Sequence, residues 1–149
     1  MKKLMTIIIL ILLSTIISQN SVWTSSTGIN VSEIFKTYQK NRLIHAMVCA
    51  ESGGKWHAIN HKEGAVGVLQ IRGIMTKHIN RISGSNYTLS DRLDSVKSVE
   101  MFNKLMSLRN PGYDFDIACE LWNSGMINPQ SPRIKKKVDK YKAIVMKYY

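Results

Sequence analysis

The chain has 149 residues, and this length, with 44% hydrophobic residues, suits one globular domain rather than two. Its 21 lysine and arginine residues outnumber its 10 acidic residues and give a formal net charge of +11. This charge favours a polyanionic partner. Because the N-terminal residues indicate export, as described next, the candidate partners are cell-wall polymers or an anionic membrane surface, and no nucleic acid is expected. The lysine-rich run IKKKVDKYK is interpreted as the solvated face of an amphipathic helix.

The first 20 residues have the layout of a secretory signal peptide. Met1-Lys2-Lys3 is a short cationic start, residues 4–17 are almost wholly apolar, and polar chain follows. An apolar stretch of this length is short for a membrane span. We therefore predict export to the periplasm or the cell exterior, with cleavage near residues 18–21. An uncleaved N-terminal anchor is the alternative.

The rest of the chain is predicted to be mainly α, because apolar residues recur at helical spacing and no convincing strand or internal repeat is found. Residues 21–31 are predicted to be a flexible lead-in, and residues 32–149 to be one folded domain. The first helix is expected over 33–52 with a break near Asn41, followed by a loop over 55–66. Later helices are expected over 74–82, 93–108, 115–122 and 134–148.

The longest apolar stripe belongs to the helix expected near residues 93–108. Either Asp91 or Asp94 is expected to cap this helix, and Asp114 to cap the next one. The stripe consists of Leu93, Val96, Val99, Phe102, Leu105 and Leu108.

Glu51 stands at the end of the apolar helical stretch LIHAMVCA. It follows Ile44, Met47 and Val48 at helical spacing, so its carboxyl group shares a face with three apolar side chains. Desolvation raises a carboxyl pKa, and a carboxylic acid that is still protonated near neutral pH can act as a general acid. The pattern alone favours a glutamate that merely reaches solvent at a helix end. Whether Glu51 is instead a general acid is therefore judged from the neighbouring motifs.

Two further motifs supply groups that bind sugars. Gly64 and Gly67 allow the backbone to approach a bulky ligand, and the Gln70 amide both donates and accepts hydrogen bonds. Trp122 and Asn123 add an aromatic ring and an amide at another helix end. Together with Glu51, they indicate a carbohydrate site.

The segment ESGGKWHAINHKEGAVGVLQI resembles the core motif of the soluble, goose-lysozyme-like (SLT-domain) lytic transglycosylases. In that family Glu-Ser is followed by a loop and then by Gly-Ala-x-Gly-Leu-Met-Gln-Ile. A later family segment is echoed by Leu89–Ser95, and the family's Ala-Tyr-Asn-Ala-Gly is matched by Leu121–Gly125. The resemblance covers roughly Leu43 to Tyr149.

The resemblance implies a mainly α, lysozyme-like single domain with a substrate cleft, which makes 32–149 a transglycosylase catalytic domain. It implies cleavage of the β-1,4 bond between N-acetylmuramic acid and N-acetylglucosamine in peptidoglycan glycan strands, without cofactor or metal. Glu51 would protonate the glycosidic oxygen and then deprotonate the muramoyl 6-hydroxyl, giving 1,6-anhydromuramoyl ends. The substrate-binding residues that it implies are Ser52, Gly67, Val68, Leu69, Gln70, Trp122, Asn123 and Tyr141.

Two of these assignments depart from the family pattern. Trp122 replaces the usual tyrosine, so aromatic stacking is kept and a phenol hydroxyl is lost. A second family tyrosine, near the catalytic acid, is missing from Arg133–Val138, and Tyr141, about one turn later, is the candidate substitute.

Two alternative functions remain open. A muramidase, which hydrolyses the same bond, needs a second carboxylate near Glu51, and the candidates are Glu63, Asp91 and Asp94. A non-catalytic cell-wall-binding assembly protein would keep the cleft without the chemistry. As an exported wall enzyme the chain is expected to act as a monomer, with a secretion, conjugation or phage-related apparatus as the expected kind of partner.

The histidines and cysteines are less informative. His57-x-x-x-His61 with Glu63 lacks the HExxH frame, so solvent-exposed histidines are expected rather than a metal site. Cys49 and Cys119 either form a disulfide in an oxidising compartment or pack as free apolar thiols.

Overall fold

A computed structural model of the chain describes residues 30–149. The predicted signal peptide over 1–20 lies outside the described residues, as does the predicted lead-in over 21–31 except for its last two residues. One compact unit comprises Lys36–Tyr149, and the described part of the preceding unit is the short stretch 30–35. Within residues 30–149, no helix has the length and apolar character needed to cross a membrane.

Five α-helices make residues 30–149 mainly α, as predicted. They are α1 (Val31–Ser52), α2 (Gly73–Ser83), α3 (Ser95–Arg109), α4 (Phe115–Ser124) and α5 (Pro132–Val145), and a 3₁₀ turn covers Ser90–Leu93. The expected break of the first helix at Asn41 is wrong, because α1 runs through that residue.

The ends of these helices follow from local capping chemistry. The Asp94 carboxylate accepts hydrogen bonds from two N–H groups in the first turn of α3, and the Asp114 carboxylate accepts one from the N–H of Ile117 in the first turn of α4. Gly84 and Gly125 end α2 and α4 in the left-handed conformation, which glycine adopts without a Cβ penalty.

A small antiparallel sheet corrects the expectation that the chain has no strand. Its strands β1 (Ile59–Asn60), β2 (Ala65–Val66) and β3 (Ile71–Arg72) pair in the order β1-β2-β3. Each strand has only two residues, so alternation of apolar and polar residues cannot reveal it in the sequence. Glycine turns allow the pairing, since Gly64 and Gly67 both have positive φ angles.

The core is formed by residues of all five helices around the loop that follows β2. Leu43 and Met47 of α1, Phe102 of α3 and Leu69 of the loop are fully buried in one cluster. This packing holds the end of α1 against the loop, and both carry predicted site residues.

The predicted stripe of α3 is partly wrong, because Leu93, Val96 and Leu108 are exposed. Residues spaced by three drift around a helix of 3.6 residues per turn, so a run of such steps cannot stay on one face. The residues of α3 that are actually buried are Ser98, Met101, Phe102, Leu105 and Met106. At the other end of the chain, Tyr148 lies beyond α5 and is likewise exposed.

Arg92 connects the 3₁₀ turn to the sheet. Its Nη1 donates to the carbonyl oxygens of Gly64 (3.1 Å) and Ile71 (3.0 Å), and its own carbonyl accepts from the Ser98 hydroxyl at 2.8 Å. The Arg92 carbonyl also lies against Gly67, where a Cβ would overlap the carbonyl oxygen. This close approach, together with a φ of +78°, restricts position 67 to glycine.

We expect Gly67→Ala to lower the free energy of unfolding by about 3 kcal/mol or more, because backbone strain and overpacking add. Gly54→Ala is the matched control, since Gly54 has a φ of +82° and a methyl group there would meet no atom within 4 Å. That control is expected to lose only about 1–2 kcal/mol. Urea unfolding of the two variants measures both values, and equal losses would contradict the role given to the Arg92 contact.

Candidate active site

Glu51 lies in the last turn of α1, where the protein surrounds most of its side chain. The three residues predicted to share its face are on the core side, with Met47 fully buried and Ile44 and Val48 packed against the core. The carboxyl group is therefore held at the boundary between the apolar core and solvent.

Tyr141 of α5 is the hydrogen-bond partner of Glu51. Its hydroxyl donates to Glu51 Oε1 at 2.5 Å and lies 3.6 Å from Met47 Sδ. Burial and the nearby carboxylate raise the pKa of Tyr141 well above its usual value, so the phenol stays protonated and remains a donor. The structure thus brings to Glu51 the tyrosine proposed as a substitute for the missing family residue.

The surroundings of Glu51 raise its pKa from 4.5 to about 7. Burial is the largest cause, because it penalises the anion, and the hydrogen bond from Tyr141 opposes it. The negative charge of Glu63 raises the pKa further, whereas the charge of Arg72 and the nearby Trp122 side chain lower it. A large fraction of Glu51 is therefore protonated near neutral pH.

A cleft of about 310 Å³ opens at Glu51. Its walls come from the end of α1, the small sheet with its connecting turns, the end of α4, and α5. The residues that line it are Ala50, Glu51, Asn60, Glu63, Ala65, Gln70, Arg72, Trp122, Asn123, Lys137, Tyr141 and Ile144. Four of the predicted site residues other than Glu51 are among them, namely Gln70, Trp122, Asn123 and Tyr141.

Gln70 is fixed in the wall of the cleft by its own amide. Its Nε2 donates to the carbonyl oxygens of Ala58 (3.1 Å) and Gly67 (3.0 Å), and its backbone has a φ of +48°. Both amide hydrogens are used within the loop, so the amide oxygen is the group that remains for a ligand.

Trp122 does not form the open stacking wall that was expected. Only 6% of the residue is exposed, and its ring packs edge-on against Phe102 with centroids 5.1 Å apart. At the cleft it lies close to Glu51 and has a small lowering effect on the pKa of that carboxyl group.

Ser52, Gly67, Val68 and Leu69 support the cleft without lining it. The Ser52 hydroxyl donates to the Val68 carbonyl at 2.8 Å, which ties the end of α1 to the loop. Gly67, Val68 and Leu69 are buried. Contact between their main chain and a substrate stays a prediction.

Of the three candidate second carboxylates, only Glu63 lines the cleft. Asp94 caps α3, and Asp91 pairs with Lys97 at 2.6 Å while accepting from the N–H of Thr88. Glu63 lies on the turn between β1 and β2, so its placement depends on strands that the sequence did not reveal.

Arg72 and Lys137 are cleft residues that were not predicted from the sequence. Lys137 lies four residues before Tyr141 on α5, so helical spacing would have placed the two side chains on one face. Arg72 ends β3 and could not have been placed without the sheet.

None of the histidines and cysteines singled out in the sequence lines the cleft. His57 and His61 are exposed, and within residues 30–149 no cluster of three or more metal-ligating side chains is present. Cys49 and Cys119 are free thiols, and burial raises the pKa of the Cys119 thiol to about 12.

The chain belongs to the transglycosylase SLT domain family, whose model matches residues 32–130. The mainly α architecture with its small sheet is consistent with the lysozyme-like fold of this family. The family implies lytic transglycosylase activity on peptidoglycan in general, and hence a cell-envelope location. Searches of curated proteins and of solved structures gave no match.

Helix α5 lies beyond the matched residues. The positions of Tyr141 and Lys137 at the cleft are therefore features of this structure and are not carried over from the family match.

We expect Glu51→Gln to stabilise the protein more at pH 8 than at pH 4.5. The folded chain holds the Glu51 proton more tightly than the unfolded chain. The contribution of this proton to the stability of wild type is therefore complete below pH 4.5 and is lost as the pH rises through 7. The difference between the two pKa values corresponds to about 3 kcal/mol at alkaline pH.

Urea unfolding of wild type and variant over this pH range measures the difference. Glu33→Gln, which removes a negative charge from an exposed position in the first turn of α1, serves as the control. A stability difference between Glu51→Gln and wild type that does not change with pH would contradict the raised pKa of Glu51.

Proposed function

We propose that the chain is a peptidoglycan lytic transglycosylase that cleaves the β-1,4 bond between N-acetylmuramic acid and N-acetylglucosamine and leaves 1,6-anhydromuramoyl ends. The observation that carries this proposal is the Glu51 carboxyl, with a pKa of about 7 and a 2.5 Å hydrogen bond from Tyr141, at the wall of a cleft. A group with this pKa can give up and take back a proton near neutral pH, as an acid/base catalyst must.

In the first step, protonated Glu51 donates its proton to the glycosidic oxygen. The bond between that oxygen and the muramoyl C1 breaks, the N-acetylglucosaminyl strand leaves as an alcohol, and positive charge develops at C1. The acetamido group of the substrate is suited to stabilise this charge, so the step needs no second protein carboxylate.

In the second step, the Glu51 carboxylate accepts the proton of the muramoyl 6-hydroxyl. The 6-oxygen bonds to C1 and closes the anhydro ring, and Glu51 is protonated again. No water is consumed, and atoms and charge balance over the two steps.

Tyr141 supports both steps by holding Glu51 Oε1. With one carboxyl oxygen fixed by a hydrogen bond, Oε2 is left to exchange the proton with the substrate. The same bond stabilises the carboxylate that forms between the steps, because a donor favours the charged form of an acceptor.

The sugar-binding groups proposed for this reaction are Gln70 and Asn123, which line the cleft. We further propose that residues 32–149 form the catalytic domain and that residues 1–20 direct its export. Local wall opening for a secretion, conjugation or phage-related apparatus is the proposed use, and a monomer suffices for it.

A muramidase is the second candidate function, and one observation favours it. Glu63 lines the same cleft, and its charge acts on Glu51. A second carboxylate can activate water or attack C1, and either route gives a reducing end instead of an anhydro end.

Analysis of digested cell wall distinguishes the two candidates. We expect the wild-type chain to release muropeptides lighter by one water than hydrolysis products, Glu51→Gln to lose at least about 100-fold in rate, and Glu63→Gln to keep the anhydro products. Mass spectrometry of the released muropeptides measures all three.

Reducing ends that disappear in Glu63→Gln would instead identify a muramidase. Binding to the wall without release of any product by the wild-type chain would favour a non-catalytic wall-binding protein.

We also expect Tyr141→Phe to move the alkaline limb of the pH–rate profile to higher pH. Loss of the hydrogen bond removes a contact that lowers the pKa of Glu51, so the acid form persists further into the alkaline range. The rate itself should fall, because the carboxyl group is no longer held. Tyr148→Phe, at an exposed residue, is the control, and an unshifted limb in Tyr141→Phe would contradict the coupling.

A further inference from the structure

Helix α5 presents one of its lysines to the cleft. Lys137 lines the cleft together with Tyr141 and Ile144, and the three are spaced by four and three residues, which places them on one helix face. Lys136 and Lys137 are both exposed, but Lys136 is not part of the lining. The lysine-rich run therefore has a cleft-facing member, besides the solvated face predicted for it.

Another lysine of α5, Lys142, lies in a different environment because it has acidic partners. Lys142 pairs with Asp116 and Glu120, both at 2.9 Å. By contrast, no acidic group of residues 30–149 pairs with Lys137 or with Arg72, the second cation of the cleft. Two cations of the cleft are thus available to a ligand.

The charges of the cleft favour an anionic ligand whenever Glu51 carries its proton. Lys137 and Arg72 then face one acidic side chain, Glu63, so the lining has a net positive charge. The acid form of Glu51 is also the form that the first proposed step requires. The protonated form of Glu51 is therefore the form in which the cleft attracts an anionic substrate and also the form that can donate the proton.

We propose that Lys137, assisted by Arg72, binds a carboxylate of the muramoyl substituent and selects glycan strands that carry one. This inference takes its substrate class from the proposed function. N-acetylglucosamine is neutral, whereas the muramoyl residue bears a lactyl ether whose acid is either free or extended by a stem peptide with carboxylates of its own. A charged hydrogen bond to that substituent distinguishes the two sugars and so fixes the register of the strand at Glu51.

Binding measurements with soluble glycan fragments test this inference without turnover. The full chain with Glu51→Gln is compared with the same chain carrying Lys137→Gln, Lys137→Arg or, as the matched control, Lys136→Gln. Three fragments are titrated: one with stem peptides, one with the peptide carboxylates amidated, and one stripped of peptide so that the lactyl carboxylate is free.

We expect Lys137→Gln to weaken binding of the carboxylate-bearing fragment about tenfold, as for loss of one charged hydrogen bond. Lys137→Arg should restore most of the affinity, and Lys136→Gln should change it little. Amidation should remove the effect of Lys137→Gln if the peptide supplies the carboxylate. An effect that persists with the stripped fragment assigns the lactyl carboxylate.

Equal affinities of the Lys137→Gln and Lys136→Gln chains for all three fragments would overturn the inference. The products of the wild-type chain are measured separately on whole wall. Failure of the proposed function appears there as absent or reducing-end products, whereas failure of the inference appears only in the binding comparison.

Discussion

The hydrogen bond between Tyr141 and Glu51 is the interaction on which the site depends. It joins α5 to the end of α1 across 90 positions of sequence, and both side chains are largely removed from water. A carboxyl group at this depth needs a polar partner, because burying it without one carries a large penalty. The phenol meets that need with a neutral donor, so Glu51 keeps a proton affinity suited to acid/base chemistry, whereas a cation would have held it as the anion.

The position of Glu51 at the cleft also depends on the loop after β2, which lies close to the end of α1. Ser52 bonds to the Val68 carbonyl, and the Arg92 guanidinium holds two carbonyls of the sheet region. The Arg92 carbonyl also packs so closely against Gly67 that no side chain fits there. The cleft therefore has walls from α1, α4 and α5 and from a sheet region held by these hydrogen bonds. Preorganisation of this kind reduces the reorganisation needed during reaction.

Features that are set by residues close together in the sequence could be predicted, whereas contacts between distant parts of the chain could not. The helices and the apolar face behind Glu51 follow from local spacing, and Gln70 and Asn123 follow from motifs. The two-residue strands have no local signal, so the cleft positions of Glu63 and Arg72 were out of reach. The prediction of the buried α3 stripe was partly wrong because residues three apart drift off one helix face. The prediction that Trp122 forms an open stacking wall was wrong because a sequence motif does not show how deeply a side chain is buried. Tyr141 was named as a substitute, but only the packing of α5 brings it to Glu51.

The most direct test of this account is a titration of the Glu51 carboxyl carbon by NMR in the full chain labelled with ¹³C-glutamate. The Glu51 signal is assigned by its loss in Glu51→Gln. The account predicts a midpoint near pH 7, set by burial against the hydrogen bond from Tyr141. A midpoint near 4.5, the ordinary value for a glutamate, would contradict it, because Glu51 would then be ionised at neutral pH and unable to supply the proton.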